Sequence, residues 1–298
     1  MKTISIPEKS LKLHFPEKLS ECDSRQYIEM SELIFRYQSN EIGFDEFCVH
    51  SVYKLLKMKP KSSPFGIDDD LKFSNIAFLS EYINNFFDVT DGQQVIKQDY
   101  INNPVPEIKI LTKKYFGPED GFRDLTFGEY IDALRIFHDF HATGDIFLLY
   151  LLSGILYREK TNIICKIFSS GAKRRKPYLS ENLERRAEAF KYAPFGFVYG
   201  AFLYFASFQK YLIGSSVLWS GQELDLSILF EAEKKDDIGT GNFPGIGMDS
   251  VAFTLAESGT FGTLDQVRSS NFWVVIVRMY ELRKNDIERK QKENARNK

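Results

Sequence analysis

Residues 126–157 read TFGEYIDALRIFHDFHATGDIFLLYLLSGILY, and this stretch decides the fold. Phe127, Tyr130, Ile131, Leu134, Phe137 and His138 recur three or four residues apart, the period of one face of an α-helix. Gly144 closes that run, and Asp145 stands where a cap for a second helix belongs. In the segment that follows, IFLLYLLSGILY, apolar residues surround the helix rather than lining one side, which marks it as central to a core. A short link through a glycine makes the two helices antiparallel neighbours, with the 127–137 stripe at the centre of the core.

The same period appears on both sides. Upstream, Ser24 opens a helix over 24–38 that Asn40-Glu41-Ile42-Gly43 breaks, and a second helix runs from Phe44 to Met58 before Pro60 and Pro64. A third is expected near 71–87. Period-2 alternation is confined to residues 1–20, around Pro7 and Pro16, and to 93–118, where Pro104, Pro106 and Pro118 allow only short edge strands. Downstream, a polar basic loop over 166–182 precedes a charged helix, ENLERRAEAFKY, and then the aromatic stretch 193–219. A glycine-marked connection over 221–248 leads to two closing helices, the second starting after Thr263, and to a polar tail at 283–298 expected to be solvated and frayed. The expected fold is mainly α, a multi-helix globular bundle with minor short strands. Its regions are a helical part over 1–90, a loop and short-strand connection over 91–125, and a helical core with a polar tail over 126–298.

Composition narrows the class without choosing a function. The 298 residues carry 39 Lys+Arg against 41 Asp+Glu, so the basic excess that counterion-release binding to nucleic acid requires is missing. Hydrophobic residues at 43% suffice for a sizeable core. Cys22, Cys48 and Cys165 are odd in number and widely spaced, which suits a reducing compartment, and the polar, proline-broken start lacks a secretory apolar run. The expected location is therefore a cytosol. The stretch 193–219 is long enough for a membrane span, but Gln209 and Lys210 interrupt it, Gly214-Ser215-Ser216 weaken its end, and no second span accompanies it. It reads instead as an aromatic helix. Phe197, Phe202, Tyr204, Phe205 and Phe208 crowd around it, and large aromatics carry so much surface that a single neighbour is expected to leave part of that face bare.

Motifs for chemistry are weak. His138, His141 and Asp145 are spaced for metal ligation, but Gly144 separates the aspartate from the histidines' helix. Gly239-Thr-Gly241 and Gly245-Ile-Gly247 match neither GxGxxG nor GxxxxGK[ST]. Lys173-Arg174-Arg175-Lys176 reads as a solvated basic loop. No catalytic triad signature is present, and Cys165 reads as core. No enzyme, cofactor or metal site is expected.

The order of segments says more. The opening IPEK…FPEKLSECDSRQYIEMSELIF…EFCVHSVYKLLKM, the central DLTFGEYIDALRIFHDF and LLYLLSGILYREK, the helix PFGFVYGAFLYFASFQKYL and the late MDSVAFTLAESGTFGTLDQVRSSNFWVVIVRMYELRKNDIERK together resemble tail assembly chaperone-like proteins of Bacteroidetes tailed phages and prophages. This chain is longer than such chaperones usually are. The resemblance implies a non-enzymatic helical adaptor in the bacterial host cytoplasm that keeps the tape measure protein soluble and delivers it to the tail tube protein. The charge balance and the interrupted aromatic stretch lead to no expected nucleic-acid or membrane partner. A client made of amphipathic helices calls for an apolar floor, supplied here by Phe197, Phe202, Tyr204, Phe205 and Phe208, and a charged rim that includes Lys173, Arg174 and Arg175. Two other classes remain: a structural virion component such as a tail-completion or baseplate protein, and a metal-dependent enzyme built on His138 and His141.

Overall fold

The computed structural model describes residues 2–6, 11–58, 69–90, 92–161, 175–230 and 247–296. Its chain order begins with an antiparallel hairpin, β1 (Lys2–Ile6) and β2 (Leu11–Phe15), paired from Lys2↔Phe15 to Ile6↔Leu11. Helix α1 (Ser24–Gln38) follows, started by Asp23, whose carboxylate accepts the Gln26 N–H while the Gln26 side chain accepts the Asp23 N–H. This reciprocal cap satisfies two of the amides that a helix start leaves bare. Then come α2 (Phe44–Leu55), α3 (Asp69–Ser80) and the hairpin β3 (Phe87–Thr90) and β4 (Gln93–Ile96). Strands β5 (Glu107–Ile110) and β6 (Lys113–Phe116) form a second hairpin, extended by the two-residue β7 (Arg158–Glu159) that returns after the central helices.

Those central helices are α4 (Phe127–Thr143) and α5 (Ile146–Leu156). Thr126 and Glu129 make the same reciprocal cap at the start of α4. Gly144, at φ 68°, ends it in the left-handed conformation that favours glycine. Asp145 caps α5 by accepting the Phe147 N–H. Three of the five stripe residues, Phe127, Tyr130 and Ile131, are fully buried, whereas Leu134 and Phe137 are half-buried. The stripe is shared. Tyr130 meets Phe272 at 4.4 Å between ring centroids and Phe137 stacks on Phe202 at 5.1 Å, so partners beyond α5 cover it.

The chain closes through α6 (Leu183–Phe190), α7 (Phe195–Gly214), the hairpin β8 (Ser216–Trp219) and β9 (Gln222–Asp225), then α8 (Met248–Glu257), α9 (Leu264–Ser269) and α10 (Phe272–Arg296). The class is mainly α, as expected. Three details differ. The aromatic helix stops at Gly214, and Val217-Leu218-Trp219 enters a hairpin whose turn, Ser220-Gly221, has positive φ at both residues. That pair matches the twist of the strands it joins. The second closing helix is broken at Asn271, whose side chain accepts the Trp273 N–H while Phe272 N–H reaches Leu125 O. The polar tail is solvated but helical to Arg296. Arg283, Arg289 and Lys290 all reach Asp286 within one turn either side, the spacing that supports an exposed helix.

One continuous core runs from Phe15 to Ile276, with α7 through its middle. Helix α7 packs closely on α1. A Cβ on Gly196 would lie 2.1 Å from the Ile28 carbonyl oxygen, and one on Gly200 would lie 2.8 Å from the Tyr27 ring. Two glycines four apart therefore cut the notch that admits α1. Gly196→Ala is expected to cost about 1–3 kcal/mol, because the obstacle is backbone and cannot swing aside. Gly214→Ala, with nothing within 4 Å, is the control and should be near neutral in the same urea titration. Equal effects of the two would show that the notch does not set the packing.

On its other side α7 holds an irregular connection by hydroxyl groups. Ser207 Oγ donates to Tyr100 O at 2.5 Å and accepts the Tyr100 N–H at 3.1 Å; Tyr204 donates to Ile101 O at 3.0 Å. From α1, the Tyr27 hydroxyl lies 2.8 Å from that of Tyr100. Tyr157 donates to Val105 O at 3.0 Å. Buried backbone without secondary structure is tolerated only when its polar groups find partners, and these hydroxyls supply them.

Candidate functional site

Among the described residues, two places are considered as sites, and the first lies on α7. Phe197, Phe202, Tyr204, Phe205 and Phe208 are all buried, Phe202 being the most open at 4%. The expectation that this face is partly bare is overturned. That expectation weighed five aromatics against one neighbour, but α7 has neighbours on every side. Phe122 lies 4.6 Å from Tyr204 and 4.3 Å from Phe208, Tyr157 meets Phe197 edge-on at 4.7 Å, and Phe272 covers Phe208 at 5.6 Å. Phe197, Tyr204, Phe205 and Phe208 therefore present no surface to a partner.

Phe202 does border an opening. It lies with Tyr199, Phe137, Phe140, His141 and Val95 around a groove of about 420 Å³ between α4, α7 and β4. His141 sits against three rings, at 4.6 Å from Phe137, 5.2 Å from Phe202 and 6.4 Å from Phe140. Burial, and secondarily the neighbouring His138, hold its imidazole below the usual histidine range, so the groove favours the neutral ring. Gln38 and Gln98 supply polar edges, and among the described residues no Asp, Glu, Lys or Arg lines the groove.

The second place is ionic. Lys173 and Arg174 lie outside the described residues, but Arg175 is described and is not a solvated rim residue. Its side chain is 1% exposed, with Nε donating to Asp124 at 2.9 Å and Nη1 to Leu156 O at 2.6 Å. A four-residue basic run gives no hint of this, because the partners of Arg175 come from the turn before α4 and the end of α5. Glu129, also 1% exposed, pairs with Arg158 and lies 3.8 Å from Arg175. Arg158 Nε and Nη1 donate to Lys176 O and Ile155 O. Burial, partly offset by Glu129, pulls the Arg158 guanidinium down to about 10. Next to it, Asp132 accepts from Tyr178 at 2.8 Å and Arg268 at 2.9 Å, and Arg268 also reaches Asp249 at 3.1 Å. The network joins α4, α8, α9 and the segments on either side of β7 and before α6. A cavity of about 330 Å³ opens beside it.

No family model, curated protein or solved structure matches this chain.

His138 and His141 sit on the exposed end of α4, whereas Asp145 is committed to the α5 cap. Among the described residues no group of three or more His, Cys, Asp and Glu is placed to hold a metal ion. Cys165 and nearly all of the glycine-marked 239–247 segment lie outside the described residues. Burial pushes the Cys22 thiol well up and the Cys48 thiol up to about 11, the opposite of what an activated nucleophile needs. Among the described residues, no helix is long and apolar enough to cross a membrane. The groove edge residues Phe140 and Val95 escaped sequence reasoning, because the β3–β4 hairpin that brings Val95 to α4 leaves no period of its own.

Proposed function

We propose that this chain is a non-enzymatic adaptor of phage tail assembly, which holds the tape measure protein in the host cytoplasm for delivery to the tail tube protein. The observation that carries the reading is the open aromatic groove of Phe137, Phe140, His141, Tyr199, Phe202 and Val95. It joins the resemblance of segment order to tail assembly chaperones. A groove walled by rings and edged by amides suits the apolar ridge of an amphipathic helix, where buried aromatic contacts carry most of the binding free energy. Of the five α7 aromatics expected to bind a client, Phe202 keeps that role here, and the half-buried Phe140 joins it.

Co-expression with the tape measure protein tests this. Replacing Phe140 and Val95 together by Ser, both on the groove edge, is expected to reduce co-purification about tenfold, equivalent to about 1.4 kcal/mol. The melting temperature should stay close to that of the unaltered chain. Full retention of the client by the folded double variant would overturn the reading.

A further inference from the structure

The register of the sheet β5–β6–β7 lines up charges of one sign. Lys109 on β5 lies directly opposite Lys114 on β6, and the pairs Tyr115↔Glu159 and Phe116↔Arg158 set β6 against β7. One step along that register brings Lys160 beside Lys114, at a point where the chain is still extended and bridges Arg175. Directly opposite residues share a face of a sheet, so Lys109, Lys114 and Lys160 form a row across it. Neighbouring strands are about 4.8 Å apart, and the row therefore spans roughly 10 Å. Each of these lysines is exposed.

The row is poorly compensated. Glu107 reaches Lys114 at 3.3 Å, but both partners are open to water, where such a pair contributes little. Lys109 and Lys160 make no ion pair among the described residues. The other face of the same sheet shows a balanced arrangement. There Glu159 meets Lys113 at 2.6 Å and also pairs with Lys176, and these two ammoniums hold its carboxyl below the usual range. Like charges placed directly opposite destabilise a sheet. A lysine on an edge strand guards against pairing with another sheet, which accounts for Lys109 on the outer strand β5. It does not account for Lys114, because β6 is paired on both sides.

We propose that this lysine row is a docking surface for an acidic segment of a partner protein. Carboxylates laid across the strands would separate the ammoniums and remove a repulsion that the free sheet carries. Lys114 and Lys160 border an opening of about 600 Å³ beside Phe116, which gives the side chains of such a segment room to enter. Nucleic acid fits less well, since Glu107 and Glu159 border the same opening and the whole chain has a net charge of −2. The surface shares no residue with the aromatic groove and stands whether or not the groove binds a client.

Fluorescence anisotropy of labelled octaglutamate, titrated with the full chain at low and at physiological salt, tests this. Binding should saturate and should weaken as salt rises. Lys109→Glu combined with Lys160→Glu should weaken it about tenfold, in keeping with the reversal of two partly screened charges. The same reversal at Lys284 and Lys292, on the exposed end of α10, changes net charge equally and should weaken it much less. Lys109→Thr alone should weaken the peptide while holding or raising the melting temperature, because it removes a like-charge neighbour and puts a strand-favouring residue in its place. A marked fall in melting temperature would make Lys109 a support of the sheet and overturn the proposal. So would an absence of octaglutamate binding or an equal loss from both double reversals. Tighter binding of an oligothymidylate of equal charge would overturn it in favour of a nucleic-acid surface.

Discussion

Phe205→Ala is expected to lower unfolding free energy by about 3–5 kcal/mol, the range for removing a fully buried ring from a core that cannot collapse around the loss. Phe205 is 0% exposed, and Phe137, Phe122 and Tyr130 surround it at 5.5, 6.0 and 6.2 Å between ring centroids. These rings come from α4 and from the chain before it, so no single neighbour can move in to fill the space. Urea denaturation should show a lower midpoint with an unchanged slope. Phe205→Leu, which conserves most of the volume, should cost far less, about 1.5 kcal/mol or under. If the alanine variant lost less than about 1 kcal/mol, the ring would have to face solvent or a yielding cavity instead.

Glu129→Gln is expected to cost about as much, 3–5 kcal/mol, by a different route. The substitution keeps the shape and leaves an amide oxygen to accept the Thr126 N–H, so the helix cap survives. What goes is the negative charge facing Arg158 and Arg175, two guanidiniums that are both nearly inaccessible to water. A buried charge stripped of its partner costs more than the pair ever contributed. Adding Arg158→Met to Glu129→Gln should therefore recover part of the loss, a coupling that a double-mutant cycle reads directly. Strict additivity of the two would mean that the charges do not depend on each other.

Where the folded chain follows local rules, it was legible. The 3.6-residue stripe from Phe127 to Phe137, the Thr126 start, the Gly144 stop and the Asp145 cap are all set by residues within a few positions of one another, and the structure keeps each of them. The illegible parts are set by distance. Arg175 sits in a basic run that any sequence reading sends to solvent, and Asp124, Glu129 and the Leu156 carbonyl, all distant in sequence, are what meet it inside. Val217-Leu218-Trp219 merges by hydrophobicity with the aromatic helix before it, although Ser220-Gly221 was a turn signal in plain view. The burial of α7 was misjudged for the same reason, since counting its aromatics says nothing of how many elements surround it. Of the groove, Phe202 was foreseen and Phe140 and Val95 were not, because they meet only when β4 is laid beside α4.

The notch that Gly196 and Gly200 cut for α1 has a consequence for how the chain is made. Ribosomes release the amino end first, and α1 emerges long before its mate. Until residue 214 has left the exit tunnel, Tyr27, which lies against Gly200 in the finished protein, and Phe35, which meets Phe195 and Tyr199, have no α7 to lie against. At ordinary elongation rates of 5–20 residues per second that interval is roughly 10–35 s. During it the nascent amino-terminal third carries an exposed apolar face, and the last step that conceals it is the arrival of a helix richer in rings than any other in the molecule. Synthesis speed through residues 39–214 thus sets how long the chain is open to self-association.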